Sequence, residues 1–227
     1  MSAVCISHKE DVDGICSATL VKAAFHISNV ILVDYANLIS RLEKVVAILG
    51  NIEQLFICDL GLSKNNEQKF VGLLDKMVSA GTEVIYIDHH DISKETVQML
   101  KKIGVTLIHT IEECTSMQIY TKYNKKLPEH AAFFAAMGAL TDYMENKPLA
   151  SAIVSRFDRQ FLMLESTVLS YMISANQHED DFLTKTVDTL AKMKYPHDVK
   201  GGFEIAEKQA KKVANAVESI QKSLVKL

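Results

Sequence analysis

Five short segments of almost unbroken apolar, largely β-branched character punctuate the first 110 residues: AVCIS (3–7), NVILVDY (29–35), LFICDL (55–60), EVIYIDHH (83–90) and VTLIH (105–109). Between them the apolar positions recur at helical spacing over 14–26, 37–49, 63–80 and 93–103. Ser63 and Ser93 stand as caps at two of the helix starts, and Gly50 and Gly81 stand at two of the ends. Strands that lack polar alternation are covered on both faces, and a strand–helix–strand alternation makes them parallel. The pattern therefore predicts an α/β fold, a five-stranded parallel sheet flanked by helices and followed by a helical C-terminal extension; the strand order 2-1-3-4-5 is taken as the working expectation.

After residue 110 the strand signal stops. CTSMQIYTKY (114–123) and PEHAAFFAAMGALTDYM (128–144) read as helices, the second with Pro128 in its first turn, and further helices are expected over 149–176 and 180–194. YPHDVKGG (195–202) has the composition of a linker. Beyond it Phe203, Ala206, Ala210, Val213, Val217, Ile220, Leu224 and Leu227 keep an unbroken 3,4 spacing. That is a heptad seam, suited either to docking on its own domain or to joining a second copy or a partner helix. The expected organisation is a core over 1–145, a helical extension over 146–200 and a heptad-patterned helix over 201–227.

Composition narrows the class. At 48% hydrophobic and 23% charged, the 227 residues suit a soluble globular protein with a sizeable core. No stretch has the apolar length of a signal peptide or a membrane span, so a cytoplasmic enzyme without membrane association is expected. Cys5, Cys16, Cys58 and Cys114 are widely spaced in apolar runs and read as buried thiols. The net charge of −3 argues against gripping long duplex DNA by basicity, but leaves room for a nucleotide site whose positive charge comes from metal ions.

The candidate chemistry gathers at strand ends. The first strand runs into SHKEDVDG, with His8, Asp11 and Asp13; the third ends at Asp59 in ICDLG; the fourth ends in Asp88, His89 and His90. Ligands of open parallel sheets bind beyond the carboxyl ends of the strands. With the order 2-1-3-4-5 these three ends are adjacent. Carboxylates so crowded stay ionised only around a cation, and mixed Asp and His donors favour Mn²⁺, Fe²⁺, Co²⁺ or Zn²⁺ over Ca²⁺ or Mg²⁺. The number of donors suits two ions. Asp34, ending the second strand, reads as an ordinary solvated end.

These motifs, SHKEDVDGICSATL, ICDLG and IDHH, together with MGALTDYM and the helix start CTSMQIY, occur in an order that resembles the DHH phosphoesterases. The resemblance implies two divalent ions, Mn²⁺ foremost with Mg²⁺, Co²⁺ or Zn²⁺ as substitutes. It implies His8 and Asp11 on one ion, Asp13, His89 and Asp142 on the other, and Asp59 bridging. His90 would then face the substrate and Asp88 would orient a neighbouring histidine; Asp142 is singled out by the family motif alone. The spacing in HKEDVDG departs from the first motifs of the family's main branches, which leaves Glu10 open as a competitor to Asp11.

The activity implied is phosphodiester hydrolysis by metal-activated water. The substrate would be single-stranded or short nucleic acid, or a small nucleotide, with pyrophosphate less favoured. Thr115 and Ser116 at a helix start are candidate phosphate binders, and Arg156 and Arg159 are candidates to line a nucleotide path, with local ion pairing as their plainer reading. The alternative class is a catalytically silent scaffold in a nucleic-acid-processing complex; retention of the whole ligand set favours the enzyme. Most enzymatic members carry a second, smaller C-terminal domain, and none is expected within these residues.

Overall fold

The computed structural model describes residues 3–47 and 52–224. Gly50 and Leu227, named above as a helix end and a seam position, lie outside the described residues. Strands β1 (Ala3–His8), β2 (Asn29–Val33), β3 (Gln54–Cys58), β4 (Glu83–Asp88) and β5 (Thr106–His109) form one sheet in the order β2-β1-β3-β4-β5. Every pairing is parallel, with Cys5 opposite Val30 and Phe56, and Ile85 opposite Phe56 and Thr106.

Two cores follow from the two faces. Helices α2 (Leu38–Ala47), α3 (Lys64–Ser79) and α4 (Lys94–Lys102) cover one side, where Leu42, Phe70, Leu74 and Leu100 meet Ile6, Leu55, Ile57 and Tyr86. These helices are amphipathic because their other face meets water. On the opposite side α1 (Val12–Phe25) is buried along almost its whole length, between the sheet and the helices α5 (Thr115–Tyr123) and α6 (Ala132–Thr141). Its near-uniform apolar character is what a helix buried all round requires.

The helical extension differs in detail from the sequence pattern. The expected helix over 149–176 is two, α7 (Pro148–Val154) and α8 (Arg159–Ala175), because Asp158 turns its carboxylate onto the Phe161 amide and starts a new helix. Over 128–144, Pro128 precedes a 3-10 turn, and α6 itself runs only from Ala132 to Thr141. Helix α9 (Asp180–Leu190) stops short of 194, ahead of Met193 in the left-handed region.

The stretch 195–202 is docked rather than free. Pro196 and Val199 are buried, and His197 Nδ1 lies 2.5 Å from Oε1 of the buried Glu165 of α8. Helix α10 (Gly202–Leu224) then packs against α8 through Ala206, with Gln209 bonded to Ser174. From Lys211 to Ser223 every residue is exposed, Val213, Val217 and Ile220 among them. No helix among the described residues is long and apolar enough to cross a membrane.

Candidate metal centre

The carboxyl ends of β1, β3 and β4 converge because the three strands are neighbours. His8 closes β1, and three residues on Asp11 caps α1, its Oδ1 accepting from the Gly14 amide at 2.8 Å. Its other oxygen lies 3.2 Å from His8 Nε2. Gly14 lets the helix start press on the strand end, since any β-carbon there would strike the His8 backbone. Glu10, the competitor to Asp11, is exposed, and no contact ties it to the cluster.

Asp13 lies in the first turn of α1 and is fully buried. It faces the start of α5, whose Thr115 and Ser116 amides donate to its two oxygens at 2.8 and 3.0 Å, joined by the Ser116 hydroxyl at 2.5 Å. The Thr115 hydroxyl donates to Asp59 at 3.0 Å. The donors at this helix start are thus spent on carboxylates. The phosphate-binding role expected of Thr115 and Ser116 gives way to one of holding Asp13 and Asp59 in place.

Asp59 follows β3 in the left-handed region, φ 57°, a conformation Asp tolerates better than most side chains. It is 1% exposed, and its Oδ2 has no hydrogen-bond partner. His89 Nε2 stands 3.4 Å from Asp59 Oδ1 and 3.3 Å from Oδ2 of Asp142, the residue that ends α6. One donor atom each from Asp13, His89 and Asp142 lie within 4.8 Å of one another, as do donors from Asp59, His89 and His90. His89 joins the two groups.

His90 belongs to a second line of contacts. Its Nδ1 lies 2.9 Å from Oδ1 of the buried Asp88, whose other oxygen accepts from the Tyr86 hydroxyl. Its backbone carbonyl meets His109 Nε2 at 2.7 Å, a role for His109 that spacing did not suggest. On the outer side, Tyr35 places its hydroxyl 3.1 Å from His90 Nε2 and stacks on His8 at 4.2 Å between ring centroids. Tyr35 went unread in the sequence. It lies just past β2 beside Asp34, and no local pattern marks it. Asp34 accepts from the amide and side chain of Asn37, as an ordinary turn cap.

The electrostatics show a cluster short of positive charge. Burial, then the charges of Asp13, Asp11 and Asp142, push the Asp59 carboxyl well above the usual carboxylate range. Burial, followed by Asp13 and Asp11, pushes Asp142 up to about 9. Asp11 is lowered: burial opposes, but His8 and the Gly14 amide prevail. Burial lowers His89, whereas at His90 the bond and charge of Asp88 overcome burial and raise it. A buried His8 Nδ1 and Asp59 Oδ2 without partners, amid carboxylates that repel one another, are the donor set a divalent cation satisfies.

The two arginines lie apart from this cluster. Arg156 pairs with Glu129 at 2.9 Å, 27 residues earlier in the chain rather than with the expected neighbours, and lies over Phe157 at the surface. Arg159 faces Glu145 at 3.8 Å, in the turn that follows Asp142. All four cysteines are buried and free.

A parallel sheet whose strand ends gather carboxylates and imidazoles around one rim defines an α/β protein with groups of side chains able to hold a metal ion. Residues 3–139 match the family model described as the N-terminal domain of the DHH family, and the chain belongs to that family. Among solved structures it resembles an uncharacterized protein from Helicobacter pylori G27, with a TM-score of 0.57 and 15% identity over 92% of this chain and 63% of that one. Exonuclease RecJ bound to manganese matches with a TM-score of 0.57 and 15% identity over 100% and 64%. CDC45 from Entamoeba histolytica matches at 0.50 and 13% over 97% and 53%. At such identities the likeness is one of fold, and the chain spans less than two thirds of the length of each. No curated protein sequence matches it.

Proposed function

We propose that this chain carries the catalytic core of a phosphodiesterase dependent on two divalent ions, Mn²⁺ foremost, that acts in exonuclease fashion on single-stranded or short nucleic acid in the cytoplasm. The observation that carries the reading is the buried, unpartnered Asp59 Oδ2 in a cluster where His89 joins Asp13 and Asp142 on one side to Asp59 and His90 on the other. Support for manganese comes from the mixed oxygen and nitrogen donors and from the RecJ structure, which holds that metal. When bound, the ions lower the pKa of water and neutralise charge on a phosphodiester.

The chain's own residues do the rest. Asp13, His89 and Asp142 would hold one ion, His8 and Asp11 the other, and Asp59 would serve both. Asp88 holds Nδ1 of His90 and leaves Nε2, which faces the Tyr35 hydroxyl, as the atom that would exchange that hydroxyl for a phosphoryl oxygen or give a proton to the leaving oxygen. Tyr35 steadies both histidines, His8 through its ring and His90 through its hydroxyl. The core is assigned to 1–145, its helical extension to 146–200, and the heptad helix over 203–227 to a second copy or a partner helix.

Purified protein incubated with Mn²⁺, with and without chelator, and a panel of end-labelled single strands, short oligonucleotides, cyclic dinucleotides and pyrophosphate tests the proposal. Chelator-sensitive cleavage of a diester is expected, with a loss of at least a hundredfold in Asp59→Asn, on the order seen when catalytic electrostatics are removed. Full activity in that variant, or turnover indifferent to chelator, sinks it.

A further inference from the structure

Past Asp88 the sheet no longer holds β4. Its last ladder pairing sets Asp88 opposite His109, so His89 and His90 stand on backbone that has left the sheet. A histidine reaches a metal ion or a phosphoryl oxygen only from the right backbone position, and a misplacement of about 1 Å can cost on the order of a hundredfold in rate. Something other than the sheet must fix the chain at these two residues.

The carbonyls around the pair show what does. The Ile87 carbonyl accepts from the Asp59 amide at 3.0 Å, the last contribution of neighbouring backbone. The Asp88 carbonyl accepts from Gln118 Nε2 at 3.1 Å, and the His90 carbonyl from His109 Nε2 at 2.7 Å. A carbonyl only accepts, so His109 carries its proton on Nε2. The peptide group before His89 and the one after His90 are thus each held by a side chain.

Gln118 does more than make that one bond. It is buried on α5, and the same Nε2 faces the carbonyls of Thr110 and Glu113 at 3.0 and 2.9 Å. Three acceptors converge on an amide nitrogen that has two protons, while Oε1 is buried without a partner. Turning the amide over would set Oε1 against three carbonyl oxygens, so its orientation is fixed. A buried acceptor left unpaired is costly and calls for a reason. Here the amide ties the end of β4 to the loop after β5 and to the start of α5. At that helix start Thr115 and Ser116 hold Asp13 and Asp59. One end of one helix therefore collects donors from α1, β3 and β4.

We infer that Gln118 and His109 are positioning residues of the centre, clamping the backbone on either side of the imidazole pair so that His89 meets Asp59 and Asp142 while His90 meets Asp88. Neither side chain touches the reacting atoms. The inference rests on the metal-centre reading and adds to it two residues outside the strand-end donors.

The test uses the full chain and Gln118→Met, which keeps the length and volume of the side chain and loses the donor. Thr82→Val is the control. Thr82 precedes β4 at its opposite end and also gives a buried bond to a carbonyl, that of Ile52 at 2.9 Å. Calorimetric titration with Mn²⁺ is expected to show an affinity roughly ten- to a hundredfold lower in Gln118→Met, the effect of removing a group that orients a metal ligand, and an unchanged one in Thr82→Val. In the metal-free protein at one fixed pH, the ring signals of His89 and His90 in ¹⁵N-edited NMR spectra should shift in Gln118→Met and stay in place in Thr82→Val. A bond that serves only the fold would move neither readout. Wild-type affinity with unmoved ring signals in Gln118→Met overturns the clamp, as does an equal loss of affinity in Thr82→Val. If Gln118→Met does not fold, Gln118→Asn, one methylene too short to reach the three carbonyls, takes its place under the same criteria. Should the wild type bind no Mn²⁺, the metal reading fails by itself. The ring signals then decide the clamp alone: shifted in the Gln118 variant they support it, unmoved they overturn it.

Discussion

A methyl group on Gly138 would collide with the Asp13 carboxylate and the Ser116 hydroxyl, so the absence of a side chain in the middle of α6 is a condition of the metal centre. The neighbours cannot yield cheaply. Asp13 is held by two amides and a hydroxyl of α5, and moving it displaces a donor from His89 and Asp142. Gly138→Ala is expected to weaken Mn²⁺ binding by at least tenfold in calorimetric titration, with activity falling in step. Gly72 of α3 is the control, because a β-carbon there meets nothing; Gly72→Ala should gain up to about 1 kcal/mol from helix propensity and leave the metal alone. Tyr35 allows a finer dissection, since its ring and its hydroxyl touch different histidines. Tyr35→Phe keeps the stack on His8 and loses the contact to His90, so turnover should fall about tenfold while Mn²⁺ affinity holds. Tyr35→Ala should lower both. Equal turnover in Tyr35→Phe and wild type would show that the hydroxyl contact does no work in the reaction.

Elements carry the site because strand order fixes which ends meet; continuous apolar strands alternating with helices made the parallel sheet readable, while its order was only supposed until the fold supplied it. Strand ends were equally readable, since a run of Asp and His after EVIYI has no reason to follow a buried strand unless something binds there. The features that escaped reading are long-range or lack punctuation. The break between α7 and α8 falls in SRFD, without proline or glycine, and only the Asp158 cap marks it. His197 and Glu165 are separated by 32 residues, a distance along the chain that no local spacing reveals. Asp142 stood out through the DHH motif alone, and Tyr35 through nothing before the fold was seen. The His197–Glu165 contact makes its own prediction. It ties the turn before α10 to α8, so His197→Ala leaves a buried carboxylate short of a donor and should cost about 1–3 kcal/mol in urea unfolding. The exposed half of α10 behaves oppositely: ending the chain after Ala210 removes no buried contact among the described residues and should shift the unfolding midpoint little. If sedimentation shows the full chain dimeric and the shortened one monomeric, Val213, Val217 and Ile220 form the seam between copies. An unchanged mass rules that seam out.

At the scale of the whole molecule the metal centre is a stability term whose sign depends on pH. In the metal-free protein, burial and neighbouring carboxylates raise Asp59 and Asp142, the latter from 3.8 to about 9. A carboxyl with a folded pKa above its unfolded one binds its proton more tightly in the native state. Its contribution is therefore full below about pH 4 and is lost as pH rises through the folded value, so between pH 4 and 9 the metal-free fold should weaken steadily. His90, also raised, acts in the same direction, and His89, lowered, acts against it, which is why the slope of the wild-type protein alone is not decisive. Asp142→Asn isolates one group: it removes a titrating carboxyl and the repulsion on its neighbours together. In chelator, thermal midpoints from pH 5 to 8.5 should fall less steeply for Asp142→Asn than for wild type, and the variant should be the more stable of the two at the alkaline end. With Mn²⁺ the order reverses, because cations compete with protons for the same oxygens and bind best where the carboxylates are bare. Wild type should then gain most from metal at high pH, and Asp142→Asn, short of a donor, should gain less. Parallel pH curves for the two proteins, in chelator and in Mn²⁺ alike, would mean that Asp142 neither feels the other carboxylates nor meets the ion. The crowding at the strand ends would then be an ordinary solvated rim.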